Sequence, residues 1–498
     1  MGSYILAIDQ GTTGTTALLV DNNLNIKGKA TQDFPQHFPE PSWVEHDLDE
    51  IWLSVLKAID TVFKETGVSA REVVAVGITN QRETTCLWKR DEKGTALGKA
   101  IVWQDRRTAD YCAKLKARGI EKKIQKKTGL LLDPYFSATK LHWRLQKDPS
   151  LLSLAKQGQL CFGTIDSFLL YRMSGEHKTD VSNASRTLLM DLKTCQWDDD
   201  LLKLFKVPRS VLPEICGSAI IYGRTKNFSS LPNGIPIAGM IGDQQAALFG
   251  QACFEKGTAK CTYGTGAFAL VNTGATPVFS RHGMLTTVAW QMGQEVTYCL
   301  EGSAFIAGAA VQWLRDGLGL FERSPDIEKL ATSVEDSGGV VFVPALSGIG
   351  APHWIPKATG LLTGLTRGST QAHIARATLE GVAFQVNELL GAMAKDSKRK
   401  LGPLKVDGGA SENNFLMQFQ ADISQIPVIR SQVIETTALG AALQAGLGTG
   451  FWSGLSEIKQ KWKADKSFTA MMPSKERKEK ISSWDKAIRA VQLLSKSK

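Results

Sequence analysis

Three short stretches of this 498-residue sequence combine glycine, hydroxyl and carboxylate in a way that could handle a phosphorylated ligand. The first is Asp9-Gln-Gly-Thr-Thr-Gly14. Backbone N–H groups converge on an anion only where side chains stay clear, so Gly11 and Gly14 leave room while Thr12 and Thr13 add donors. The acid, Asp9, could hold Mg2+ directly or through water. Gly264-Thr-Gly266 and Asp407-Gly-Gly409 have matching chemistry. A plain hairpin turn uses the same residue types, so one loop alone is ambiguous and three together weigh more. Phosphoryl transfer also needs a carboxylate where an acceptor hydroxyl loses its proton. Asp243 follows the apolar Ile237-Ala-Gly-Met-Ile241, as an acid at a strand end would, although it could equally cap the helix suggested by Gln244 to Phe249. Arg82 and Glu83 set a fork of donors beside an acceptor, which suits vicinal hydroxyls of a neutral polyol and would also suit a structural salt bridge.

These residues need strands and helices to present them. Tyr4 to Ile8 is an apolar run ending in Asp9, and Thr16 to Asp21 alternates, which predicts strand, tight loop, strand. A helix is expected from about Asp47, with Leu48, Ile51, Trp52, Val55, Leu56, Ile59 and Phe63 on one face and Gly67 as its stop. Val73 to Ile78 reads as a buried strand delivering Thr79-Asn-Gln-Arg-Glu83 at its carboxyl end, where ligands of α/β sheets collect. The pattern returns at Leu404 to Val406, followed by the Asp407 loop and a helix from Asn414 to Ile423. Two α/β domains of similar logic are predicted, residues 1–250 and 251–498, each presenting glycine loops to a shared cleft.

Composition excludes several classes. With 43% hydrophobic and 22% charged residues, 46 Gly and 17 Pro, the chain is an ordinary globular one, not a disordered or collagenous one. No apolar run approaches the length needed to span a bilayer, and the first residues resemble no export signal. Eight scattered cysteines form neither a CxxC pair nor a zinc-ligand pattern, and with seven dispersed histidines they predict a reduced cytoplasmic compartment and no transition metal. The net charge of +10 is concentrated at the end, where Lys459 to Lys498 holds twelve Lys and Arg against four acids. Mixed signs without interleaved aromatics predict a solvated terminal helix, not a nucleic-acid or membrane arm. Gly94-Thr-Ala-Leu-Gly98-Lys99-Ala100 imitates a Walker loop but is one residue short and lacks the Mg2+-binding hydroxyl, and Gly446-Leu-Gly448-Thr-Gly450 fails as a dinucleotide fingerprint.

Taken together, seven segments resemble the FGGY carbohydrate kinases, and among them those that phosphorylate glycerol. They are Asp9 to Thr13, Trp43-Val-Glu-His-Asp47, Gly77-Ile-Thr-Asn-Gln-Arg-Glu-Thr-Thr85, Ile101-Val-Trp-Gln104, Asp133-Pro-Tyr-Phe-Ser137, Gly242 to Gly250 and Asp407-Gly-Gly-Ala410. The matches keep one chain order and cover all but the basic tail. The resemblance implies an actin-like, ribonuclease-H-type α/β fold of two domains with a central cleft that closes over ATP, Mg2+ and glycerol, excluding water and yielding sn-glycerol 3-phosphate and ADP. Position by position it implies glycerol contacts at Arg82, Glu83, Tyr135, Asp243 and Gln244, with Trp103 and Phe268 packing on the carbon chain. Asp243 is similar to the family's general base, and Asp9 to its Mg2+-organising acid. Thr12, Thr13 and Gly14 would meet the phosphates, and Thr265, Gly308, Gln312, Gly409 and Asn413 would frame the nucleotide. A homo-oligomer, dimer or tetramer, is the expected assembly.

The sequence also departs from the family pattern. Thr16 stands where an Arg usually neutralises nucleotide phosphate, and Ile355 and Thr359 replace an Asp and an Arg. These departures keep a degenerate ATP-binding regulatory protein open, and because members of the family share fold and nucleotide loops while differing in acceptor, a kinase for another small polyol or ketose stays open as well. The loop Asn227 to Gly234 lacks the Arg expected for fructose 1,6-bisphosphate control, and no His between His177 and His282 could serve as a regulatory phosphorylation site, so neither control is expected.

Overall fold

The structure is a computed structural model that describes residues 2–496. Two mixed sheets organise it. The first contains β1 (Tyr4–Gln10), β2 (Gly14–Val20), β3 (Ile26–Asp33), β4 (Val73–Asn80) and β5 (Pro236–Gly242), in the order β5-β4-β1-β2-β3, with the pair Gly223–Arg224 at its edge. The second contains β6 (Ala259–Tyr263), β7 (Ala267–Gly274), β8 (Leu285–Met292), β9 (Glu295–Ala304), β10 (Leu404–Asp407), β11 (Val428–Ser431) and β12 (Ala464–Phe468), in the order β8-β9-β7-β6-β10-β11-β12.

One motif recurs in both sheets. β1 is antiparallel to β2 and parallel to β4, which is parallel to β5; likewise β6 is antiparallel to β7 and parallel to β10, which is parallel to β11. This is the α/β, actin-like arrangement the sequence led us to expect, with one difference in correspondence. The counterpart of the Asp9–Gly14 hairpin is the hairpin at Gly264–Gly266, whereas Asp407–Gly409 ends the strand lying parallel to it, as Thr79 and Asn80 do in the first sheet.

Helix α1 (Leu48–Thr66) begins where the Asp47 carboxylate accepts from the backbone N–H groups of Asp49 and Glu50, and ends at Gly67 in the left-handed region, φ 68°. It buries Leu48, Ile51, Val55, Ala58, Ile59 and Val62, while Trp52, Leu56 and Phe63 are only partly covered. The helical period is as expected, but the buried stripe is rotated toward Ala58 and Val62. Further along come α2 (Asp243–Gly250), α3 (Gly308–Asp316), α4 (Gln371–Ser397), α5 (Asn414–Ser424), α6 (Thr436–Thr449) and α7 (Ser474–Lys496).

Helix α6 crosses between the halves. It lies in sequence between β11 and β12 of the second sheet, yet it packs on β1, β4 and β5 of the first and on α2. A Cβ on Gly77 would stand 2.2 Å from the Ala441 carbonyl oxygen, and one on Gly440 would stand 1.9 Å from that of Ala246. Only glycine permits such approach. Ala438, Leu439, Ala441, Ala442, Leu443 and Ala445 share one buried cluster with Ile5, Ala7, Ala75 and Ile241 of the first sheet and Leu270 and Cys299 of the second.

The basic tail is not a fully solvated helix. β12 extends the second sheet against β11, and α7 buries Trp484, Ala487, Ile488 and Val491, with Trp484 stacked on Phe384 at 5.1 Å between centroids. Most of its charges lie on the outer face, because the apolar residues recur at helical spacing within a charge-rich segment, while Lys480 reaches in to the buried Glu380 at 3.1 Å.

Candidate active site

The hairpin between β1 and β2 turns at Gly11, whose N–H donates to the Gly14 carbonyl at 2.9 Å. Gly264 donates to Gly266 at the same distance in the second half. Behind the first loop, Gln81 Nε2 donates to Gln10 Oε1 and to the Gly11 carbonyl, each at 3.1 Å, which fixes the turn from the end of β4. Thr13 is exposed and Thr12 half-buried, where the Thr12 hydroxyl accepts a hydrogen bond from Trp103 Nε1 at 2.9 Å.

Thr265 and Gly308 are joined: the Thr265 carbonyl accepts from Ala307 and Ala309, and Gly308 donates to the Gly264 carbonyl at 2.9 Å. Gln312 lies one turn further along α3 and is exposed. Gly409 has nothing within 4 Å of the point where a Cβ would stand, so its backbone is open to a ligand. Asn413 caps α5, its side-chain oxygen accepting from Leu416 N–H at 2.8 Å. The donor set thus fits a polyphosphate: two glycine hairpins, hydroxyls beside each, and open backbone nearby.

At the floor of β1, burial pushes the Asp9 carboxyl up to about 8, with Asp243 and then Glu435 adding repulsion. A divalent cation would relieve that surplus negative charge. Among the described residues no group of three or more His, Cys, Asp or Glu is placed to hold a metal by itself. One carboxylate completed by water and phosphate oxygens is how Mg2+ is commonly held.

The acceptor candidates gather at the ends of β4 and β5. Arg82 Nε lies 2.9 Å from Asp243 Oδ1, and the Asp243 side chain is 28% exposed while that of Arg82 is 2%. Burial raises the Asp243 carboxyl, with Arg82 opposing. The neighbouring Gln244 accepts at Oε1 from Lys260 Nζ at 2.6 Å, and burial lowers that ammonium. Trp103 meets the Tyr135 ring edge-on at 5.5 Å, closing one side. Phe268 is half-buried on β7, opposite Thr262 and Ser303.

Arg82 and Glu83 are not a simple pair. Their closest charged atoms are 4.0 Å apart. Arg82 instead clasps Glu301 of β9, Nη1 to Oε2 at 2.5 Å and Nη2 to Oε1 at 2.9 Å, while Glu83 Oε1 accepts from Arg186 Nε at 2.6 Å. Arg186 Nη2 reaches Glu301 Oε1 at 3.1 Å, which closes the circuit. Burial raises Glu83 despite both guanidiniums, whereas at Glu301 Arg186 and Arg82 overcome burial and hold the carboxyl at about 2. Sequence reasoning found neither Arg186 nor Glu301. The available signals were a lone acid inside the strand Val296-Thr-Tyr-Cys-Leu-Glu301 and a lone Arg in Asn183-Ala-Ser-Arg186-Thr.

Of the departures, Thr16 Oγ1 is hydrogen-bonded to Thr31 Oγ1 across β2 and β3 at 2.9 Å, Ile355 packs on the second half's core, and Thr359 is exposed.

The repeated hairpin fold and these loops agree with a family-wide match. The model for the FGGY family of carbohydrate kinases, N-terminal domain, matches residues 4–250, and that for its C-terminal domain matches residues 259–449. This chain belongs to the FGGY family of carbohydrate kinases. It is 55% identical to the glycerol kinase of Myxococcus xanthus, with 97% of this chain and 98% of that one aligned, and 53% identical to that of Bdellovibrio bacteriovorus over 99% and 100%. In structure it is similar to the Plasmodium falciparum glycerol kinase with ADP, TM-score 0.91 at 38% identity, covering 98% of both FGGY chains.

Proposed function

We propose that this FGGY kinase transfers the γ-phosphate of ATP to a terminal hydroxyl of glycerol, giving sn-glycerol 3-phosphate and ADP. The observation that carries this is the small polar site at the ends of β4 and β5, where Arg82 and Asp243 approach to 2.9 Å beside Glu83 and Gln244 and under Trp103 and Tyr135. Identity above 50% to glycerol kinases over nearly the whole chain supports the same reading.

In this reading Arg82, Glu83, Tyr135 and Gln244 bind and orient the hydroxyls, and Trp103 and Phe268 limit the length of the carbon chain. Asp243 accepts the proton of the terminal hydroxyl as its oxygen bonds to the γ-phosphorus and the bond to the β-phosphate oxygen breaks. A base whose pKa is raised by burial holds that proton better than an ordinary Asp. Thr12, Thr13 and Gly14 position the phosphates from the first half, and Thr265, Gly308, Gln312, Gly409 and Asn413 frame the nucleotide from the second. Mg2+, held by Asp9, would supply charge neutralisation at the transferred group. A domain division near Gly250, a dimeric or tetrameric assembly and a cytoplasmic setting belong to this reading. All eight cysteines are free, and among the described residues no helix is long and apolar enough to cross a membrane.

The test is ADP release from Mg·ATP with and without glycerol, beside a panel of small polyols and ketoses. Glycerol-dependent turnover is expected, and Asp243→Ala should abolish it while ATP binding persists. Turnover with another acceptor alone would make the chain a kinase of that compound. ATP binding without any turnover would favour the degenerate reading that Thr16, Ile355 and Thr359 motivate.

A further inference from the structure

Four charged side chains, Arg82, Glu83, Arg186 and Glu301, sit together almost wholly out of solvent, at 2%, 2%, 0% and 1% side-chain exposure. Burying such charges costs several kcal/mol per ion, and well-packed apolar residues of similar volume would stabilise the fold as well or better. The circuit is also incompletely satisfied. Arg186 Nη1 has no hydrogen-bond partner, and Arg82 Nε, although 2.9 Å from Asp243, is not aligned to donate to it. Stability alone does not account for this arrangement.

The backbone is constrained at the same place. Glu83 has φ 60°, in the left-handed region that a residue with a side chain rarely adopts, within a turn where Thr84 N–H donates to the Arg82 carbonyl at 2.7 Å. Such a conformation costs about 1–3 kcal/mol and persists only where its surroundings over-determine it. The Ser137 hydroxyl on the Glu83 carbonyl, at 2.9 Å, and Arg186 on its carboxylate supply that determination.

The geometry points to Glu301 and Arg186 as the positioning residues of the acceptor site, setting the orientation of Arg82 and Glu83 and so the fit and selectivity for a polyol. Glu301 takes both terminal nitrogens of Arg82, and Gln245 Oε1 shares Nη1 at 3.1 Å, so the guanidinium cannot swing and only its Nε edge faces Asp243. Arg186 in turn holds Glu83 away from Arg82. Without this clamp Arg82 would collapse onto Glu83 and Asp243, the two carboxylates at 4.0 and 2.9 Å from its Nε, and the site would close on itself. Glu301 lies on the second sheet, 219 residues from Arg82, so the second half of the chain sets the orientation of an acceptor group carried by the first.

This inference rests on the glycerol reading, and the wild-type enzyme tests that reading separately by its glycerol-dependent turnover. Glu301→Gln and Arg186→Gln are then compared with wild type for glycerol KM, kcat and nucleotide Kd. The relative kcat/KM for glycerol against propane-1,2-diol, which lacks one hydroxyl, is measured alongside. Expected are a fall in glycerol kcat/KM of roughly 10–100-fold, the range for groups that orient a ligating side chain, reduced discrimination between triol and diol, and a nucleotide Kd within about twofold of wild type. Should either variant fail to fold, Arg186→Lys keeps the charge but not the paired nitrogens and is judged by the same ratio. Unchanged glycerol kinetics in a folded variant would overturn the assignment, as would a parallel loss of nucleotide and glycerol binding with discrimination intact.

Discussion

At the scale of single residues, Trp103 links the first glycine loop to the ring of Tyr135. Its indole donates to the Thr12 hydroxyl while its ring lies against Tyr135. Trp103→Phe keeps an apolar wall and deletes the donor. Glycerol KM should change little, while kcat falls by about fivefold, consistent with loss of one oriented hydrogen bond worth ~1 kcal/mol; steady-state kinetics would separate the two. Asp9 offers a second prediction. Its folded pKa of about 8 against an ordinary 3.8 means the folded chain keeps a proton that the unfolded chain has lost. The associated stability is full below the unfolded value and is lost as pH rises through about 8. Asp9→Asn should therefore flatten the decline of melting temperature toward pH 8 in the ligand-free protein and remove the extra stabilisation given by Mg2+ with nucleotide. Thermal scans across pH, with and without Mg·ATP, check both. Asp9, Asp243 and the glycine loops were legible in the sequence because their chemistry is local, an acid and small residues within a few positions. Glu301 and Arg186 were not, since they acquire meaning only when β9 and the segment after Val181–Ala184 are brought against Arg82.

Among the elements, periodicity and caps announced α1, whose Asp47 and Gly67 mark its two ends, and the acid-ended strands β1 and β10, with the apolar β4 between Val73 and Asn80, were equally visible. The partner of each element was not. Alanines and glycines spread through Thr436–Thr449 give no distinct apolar stripe, because the helix is enclosed on most of its surface by β1, β4, β5 and α2. The small side chains let α6 pack against backbone on both sides, at Gly77 and at Ala246. Gly440→Val should destabilise by on the order of 3 kcal/mol, since its Cβ would begin 1.9 Å from a backbone oxygen that no rotamer can move aside. Chemical denaturation measures it, and a cost below ~0.5 kcal/mol would show that α6 slides outward without penalty. The tail was misjudged for the opposite reason: a high density of Lys and Glu on α7 concealed Trp484, Ile488 and Val491 at helical spacing.

For the molecule as a whole, the two sheets do not each complete their own interior. The cluster around α6 draws on residues from Ile5 to Ile458 and includes members of both halves. Residues 1–250 expressed alone should accordingly be insoluble or strongly dye-binding, and co-expression with residues 251–498 should restore a soluble assembly; a well-dispersed, cooperatively melting fragment would contradict this. The same feature governs how the protein is made. Translation delivers β1, β4 and β5 long before Thr436, so the nascent chain carries an unroofed apolar surface for nearly two hundred codons after Gly242. Folding of the first half is thereby tied to completion of the second, and a ribosome that stalls before α6 releases a product with no native state of its own.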